Sequence, residues 1–266
     1  MFEYHVHSHF SDDCSVPMEE MVQGAIQKGL RKICFTDHID FDYPDPLYTF
    51  DLDLDGYFKE LSRLQKIYET DIEIYKGIEV GIQPHLPERY EAFLAQKEFD
   101  FIICSLHTVD KADLHSGELF NSRSIEAAYQ KYYEELLYCV KNFDKYQILG
   151  HLDLVKRYTI GQQVNTDFHD TITQIFQTII PQGKGIEINT SGTRYGMKNA
   201  LPSKDILQLY KDLGGEIITV GADAHRVEDI NYHFKESLQL LDELGFTYVC
   251  SFSKQKPTFH KINDLL

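Results

Sequence analysis

Residues 1–13 read MFEYHVHSHFSDD: His5, His7 and His9 alternate with other residues and run into the acidic pair Asp12 and Asp13. Alternation is the period of a β-strand, so a strand over residues 2–7 projects His5 and His7 from one face, spaced to hold one metal ion between them. A polar strand with solvated rings has the same spacing, so the metal reading needs ligands from elsewhere in the chain.

Moving outward, a helix is expected from about Pro17 to Lys28, with Ser15 as N-cap, Pro17 in its first turn and Gly29 as its stop. Strands are then predicted at RKICFT (31–36), IEIYKGIEV (72–80), DFIICS (100–105), YQILGH (146–151), GIEINT (185–190) and EIITVG (216–221). Helical periodicity separates them at 55–69, 87–98, 124–143, 169–180 and 204–213, and a last helix near 229–244 leads to the apolar run FTYVC (246–250).

Alternating strands and helices imply a parallel sheet, open or closed into a barrel. Polar residues decide between them. His5 and His7 close the first strand, Asp37 and His38 follow the second, Glu79 closes the third and His107 follows the fourth. His151 ends the fifth, Asn189 and Thr190 the sixth, and Asp223 with His225 follow the seventh. A barrel gathers such C-terminal groups into one site, whereas an open sheet spreads them along an edge. The expectation is an α/β barrel, one domain over residues 1–266, with FTYVC available as an eighth strand.

A net charge of -16, with no cluster of Lys and Arg, argues against a nucleic-acid partner. No apolar run is long enough to span a bilayer, and five scattered cysteines without a C-x-x-C pair suit a reducing cytoplasm. In so acidic a chain an anionic substrate needs local cations, and metal ions are the strongest available. The acidic, aromatic segment 37–56 reads as a loop over the barrel mouth, its aspartates facing water.

H5-x-H7 and D223-x-H225 share one device, two side chains leaving a strand end together. With Glu79 between them, the mixed nitrogen and oxygen donors suit zinc, iron or manganese rather than calcium or magnesium. His5, His7, Asp13, His38, Glu79, His107, His151, Asp223 and His225 suffice for two or three ions, with Glu79 placed to bridge.

The runs HVHSHFSDD, FTDH, GIEV, SLHTVD, GHLDLV and GADAH resemble the polymerase and histidinol phosphatase (PHP) family, in its histidinol-phosphate phosphatase branch. That resemblance implies a distorted (β/α)7, TIM-like barrel holding three divalent transition-metal ions. One ion would sit on His5, His7, Glu79 and Asp223, a second on Glu79, His107 and His151, and a third on Asp13, His38 and His225. Asp12 is the alternative to Asp13. His9 is surplus to these sets, and bonding to backbone or to the substrate are its two readings.

Arg157 and Arg194 lie just beyond the fifth and sixth strands and reach the same mouth, where they either form surface ion pairs or fork onto phosphate oxygens. The family's matching arginines bind phosphate, which favours the second reading; Lys156 and Lys198 are expected in solvent. The implied activity is hydrolysis of the phosphomonoester L-histidinol phosphate by a hydroxide bridging the metals, with Asp223 shuttling a proton. The acidic segment 40–51 is a candidate contact for the substrate amine. Rival readings are a phosphotyrosine phosphatase of the same family, a metal-dependent amidohydrolase and a metal-binding module without catalysis.

Overall fold

Seven mostly buried strands alternate with helices in the computed structural model, which describes residues 1–121 and 123–266. In chain order the strands are Phe2–Val6, Lys32–Phe35, Glu73–Gly81, Phe101–Ser105, Ile148–Leu149, Gly185–Asn189 and Ile218–Gly221, and each pairs in parallel with the next. Near-continuous apolar runs such as FIICS and ITVG are what a parallel sheet covered on both faces requires. The ring closes between its ends: His7 N donates to Ala224 O at 2.9 Å and Ala224 N to His5 O at 3.1 Å, around a bridge of Val6 with Ala224.

That closing seam is reinforced from inside the barrel. Glu3, 1% exposed, accepts from the backbone N–H groups of Tyr4, His5, Ala222 and Asn231 at 2.9–3.1 Å. Burial, its largest influence, still pushes the Glu3 carboxyl up to about 7 against those donors. One side chain thus supplies acceptors that the short ladder between the first and seventh strands lacks.

The apolar run near 246–250 is not an eighth barrel strand. Tyr248–Ser253 pairs antiparallel with Lys256–Lys261 through a turn at Lys254 and Gln255, both left-handed (φ 49° and 62°). This hairpin covers the N-terminal end of the barrel. Tyr4 donates its hydroxyl to Phe252 O at 2.7 Å, the Phe101 and Phe252 rings stack at 4.9 Å, and Asp100 holds the Lys254 amide at 2.8 Å.

The first helix spans Met18–Gln27, capped by Pro17 rather than Ser15; His9 Nδ1 accepts the Met18 amide at 3.2 Å in place of a serine hydroxyl. The last helix begins at Phe234, because Val227–Asp229 forms a separate 3-10 turn and His233 adopts a left-handed conformation. All five cysteines are buried free thiols, and no described helix is long and apolar enough to cross a membrane.

Candidate metal centre

His5, His7 and Glu79 are each 0% exposed, held where the first and third strands end. His5 Nε2 lies 3.1 Å from Glu79 Oε2 and 3.7 Å from Asp223 Oδ1; His7 Nε2 lies 3.5 Å and 3.3 Å from the same two oxygens. The other faces of both rings are committed. His5 Nδ1 is 2.7 Å from Glu187 Oε1, and His7 Nδ1 is 3.2 Å from Ser11 Oγ, whose hydroxyl donates to Asp37 at 2.8 Å. These partners assign the ring protons to Nδ1 and leave lone pairs on both Nε2 atoms.

With both rings neutral, as a metal ligand requires, two nitrogen lone pairs and two carboxylate oxygens face one another. His5 Nε2, His7 Nε2 and Glu79 Oε2 are buried and lack a hydrogen-bond partner. Acceptors so placed repel unless a cation joins them, and imidazole with carboxylate fits a divalent transition metal. With no cation between them, Glu187, Glu79 and Asp223 outweigh burial and hold the His5 pKa well above the imidazole range, so Nε2 takes up a proton that a bound metal ion would displace. Burial, with His225 and His38 adding to it, lowers His7 to about 3, so this ring stays neutral.

Glu79 faces a second group with its other oxygen. Oε1 lies 3.0 Å from His151 Nε2, 3.4 Å from His107 Nε2 and 2.5 Å from the Ser105 hydroxyl. A third group gathers around Asp13, whose Oδ2 is 3.1 Å from His225 Nε2 and 3.7 Å from His38 Nε2. The His7 ring stacks between His38 and His225 at centroid distances of 4.3 and 4.1 Å. All nine residues picked out as ligand candidates thus meet at the C-terminal mouth. Asp12 points elsewhere, accepting from the Thr49 amide at 2.6 Å, the Thr49 hydroxyl at 2.9 Å and the Phe50 amide at 2.9 Å.

The carboxylates behind the histidines escaped sequence reading. Glu187 grips His5, and Asp40, 2% exposed, sits 2.6 Å from His107 Nδ1. Asp37 and Asp40 are thus buried anchors, against the expectation for this loop, whereas Asp42, Asp51, Asp53 and Asp55 are exposed as expected. Two glycines make room for such anchors. A Cβ on Gly221 would fall 2.0 Å from Glu187 Oε1, and one on Gly81 would fall 2.0 Å from Asp40 Oδ2. Lys156 is only partly in solvent: it pairs with buried Asp153 at 2.8 Å and donates to Ser203 Oγ at 2.8 Å. Lys198 is exposed, as expected. Removing the anchor of a ligating histidine commonly costs 10- to 100-fold in metal affinity. Asp40→Ala is therefore expected to weaken retention of one ion by about that factor in chelator competition, leaving the others in place.

The mouth encloses about 970 Å³, and Arg157 and Arg194 line it beside the donor cluster. Arg157 Nη2 donates to Ser191 Oγ at 2.5 Å and lies 3.6 Å from Asp223 Oδ2, with its guanidinium 4.3 Å from the Tyr195 ring centroid. Arg194 Nη2 donates to Asp223 O at 2.8 Å, and its Nη1 is 3.5 Å from Asp229. Arg157 Nε is buried without a hydrogen-bond partner, and Arg194 Nη1, also buried, has only its long ion pair with Asp229.

This barrel and donor set have counterparts among known proteins. Residues 3–191 match the model of the PHP domain, and the chain belongs to the PHP family. Its relatives are more particular. The histidinol-phosphatase of Lactococcus lactis subsp. lactis (strain IL1403) is 33% identical over 258 residues, 96% of this chain and 95% of that protein. The probable histidinol-phosphatase of Clostridium acetobutylicum is 28% identical over 247 residues, 91% and 93% of the two chains. The crystal structure of the L. lactis histidinol phosphate phosphatase, complexed with zinc, L-histidinol and phosphate, has a TM-score of 0.86 and 31% identity, covering 97% of this chain and 98% of that one. The expected seven-stranded, TIM-like barrel is borne out.

Proposed function

We propose that this protein hydrolyses L-histidinol phosphate to L-histidinol and inorganic phosphate at three divalent transition-metal ions. The observation that carries the reading is the buried convergence of four potential metal-donor atoms, His5 Nε2, His7 Nε2, Glu79 Oε2 and Asp223 Oδ1, beside two arginine forks. The likeness to relatives named as histidinol-phosphatases supports it. One ion would be held by His5, His7, Glu79 and Asp223, a second by Glu79, His107 and His151, and a third by Asp13, His38 and His225.

When bound, such ions act as Lewis acids and lower the pKa of water enough to give a nucleophile near neutral pH. Arg157 and Arg194 hold the phosphoryl oxygens and neutralise charge as it redistributes toward the transition state. Burial opposes ionisation of Asp223, but His5, His7 and His225 outweigh it and keep its pKa well below the carboxylate range. Its Oδ1 faces the histidines while Oδ2 faces Ser191 at 3.3 Å and Arg157, at the edge of the space for substrate. Held ionised, Asp223 orients the attacking water and relays its proton to the departing alcohol oxygen as the ester P–O bond breaks.

The test is phosphate release from L-histidinol phosphate against p-nitrophenyl phosphate. The proposal expects a clear preference for the former, and equal rates would leave only the phosphatase class. Exhaustive chelation is expected to abolish release and zinc to restore it; activity that survives removal of all metal would sink the metal-dependent reading.

A further inference from the structure

The mouth has two unlike walls. On one, the loop after the second strand meets the hairpin of Thr108–Val109 with Ala112–Asp113 after the fourth, and brings Tyr43 and Phe50 together with Asp113, beside Tyr158 from the turn after the fifth strand. Tyr43 and Phe50 pack edge to face at 4.8 Å, and Phe50 packs on the His38 ring at 5.0 Å. Tyr43 donates its phenol proton to Asp113 Oδ1 at 2.7 Å, which ties the two loops together. Asp113 is 4% exposed, and its other partners are neutral: the amides of His115 and Ser116, each at 2.8 Å. Among the described residues no cationic side chain pairs with it. The opposite wall has carboxylates too, but Glu20 and Glu228 are exposed, and Asp229 is engaged by Arg194.

A buried carboxylate without a counter-charge is costly, and a cation arriving with the substrate would offset that cost. Because the Tyr43 proton is committed to Asp113, the phenol oxygen keeps its lone pairs as an acceptor in a wall of rings. We propose that the Tyr43–Asp113 pair selects the leaving group of the phosphomonoester, a cationic alcohol bearing nitrogen. Its N–H donates to the Tyr43 oxygen, Asp113 supplies the counter-charge, and the rings receive a flat heterocycle. The substrate then spans the mouth, with phosphate at the arginines and its organic half on the aromatic wall. This rests on the hydrolase reading above and extends it to the half of the substrate that does not react.

Tyr43→Phe removes the oxygen and keeps the ring; Asp113→Asn removes the charge and keeps an acceptor for the turn. Each is assayed in the metal-loaded full chain with L-histidinol phosphate, phosphoethanolamine and p-nitrophenyl phosphate, the last having no cation in its leaving group. Each variant is expected to lower kcat/KM for L-histidinol phosphate about tenfold or more, chiefly through KM, while p-nitrophenyl phosphate changes by less than about twofold. Inhibition by L-histidinol should weaken in parallel. Equal losses on charged and uncharged esters, or no loss on either, would overturn the proposal, as would a parent enzyme with no preference for cationic esters. A parent enzyme that favours phosphoethanolamine over L-histidinol phosphate, and loses that bias in Tyr43→Phe, would sink the histidinol assignment and uphold the aromatic wall.

Discussion

Glu79→Gln is expected to empty two metal positions at once and to cut phosphate release by about 1,000-fold or more. Glu79 Oε2 faces His5, His7 and His38 within 3.1–3.5 Å, while Oε1 faces His151 and His107 within 3.0–3.4 Å. The amide keeps the shape but replaces one oxygen by a donor and removes the charge that balances the surrounding imidazoles. Several kcal/mol of lost charge stabilisation corresponds to a rate factor of that order. Elemental analysis of the folded variant decides the matter: about two equivalents fewer than the parent fits a bridge, and loss of a single equivalent makes Glu79 a terminal ligand.

Arg157→Ala and Arg194→Ala are each expected to lower kcat/KM for the phosphomonoester by roughly 10- to 1,000-fold with metal content unchanged. The scale is one or more charge-assisted bonds at about 1.5–3 kcal/mol each. Arg157→Lys should recover little, because the planar fork that meets Ser191, approaches Asp223 and stacks on Tyr195 has no ammonium equivalent. Parent-like kinetics in both alanine variants would assign phosphate binding to the metals alone.

The pattern of polar residues at strand ends was readable because strand periodicity is strict: H5-x-H7 and D223-x-H225 each declare a pair of co-directed side chains. Glu3 and Glu187 were missed although a signal was present. Each is an isolated carboxylate in a strand buried along its length, FEYHV and GIEIN, where an ionisable group needs a dedicated partner. Asp40 was hidden for a different reason. Composition marks 37–56 as a solvated loop, and only the chain's return to the strand beside Glu79 turns that carboxylate inward. The terminal hairpin was equally opaque, since Lys254 and Gln255 turn the chain in a conformation usually signalled by Asn-Gly.

The barrel's seam also sets an order of events. Its two edges are the first and last strands of the ring, and the residues that flank it, His5, His7, Asp223 and His225, come from opposite ends of the barrel's sequence. A growing polypeptide can therefore assemble the groups around Glu79, His107 and His151 long before it can offer the set shared by His5 and Asp223. On the proposed ligand sets, full occupancy would be a late event, possible only once residue 225 has emerged and the ring has closed. Ions that bind only the closed ring would then act as a clasp, favouring closure by mass action.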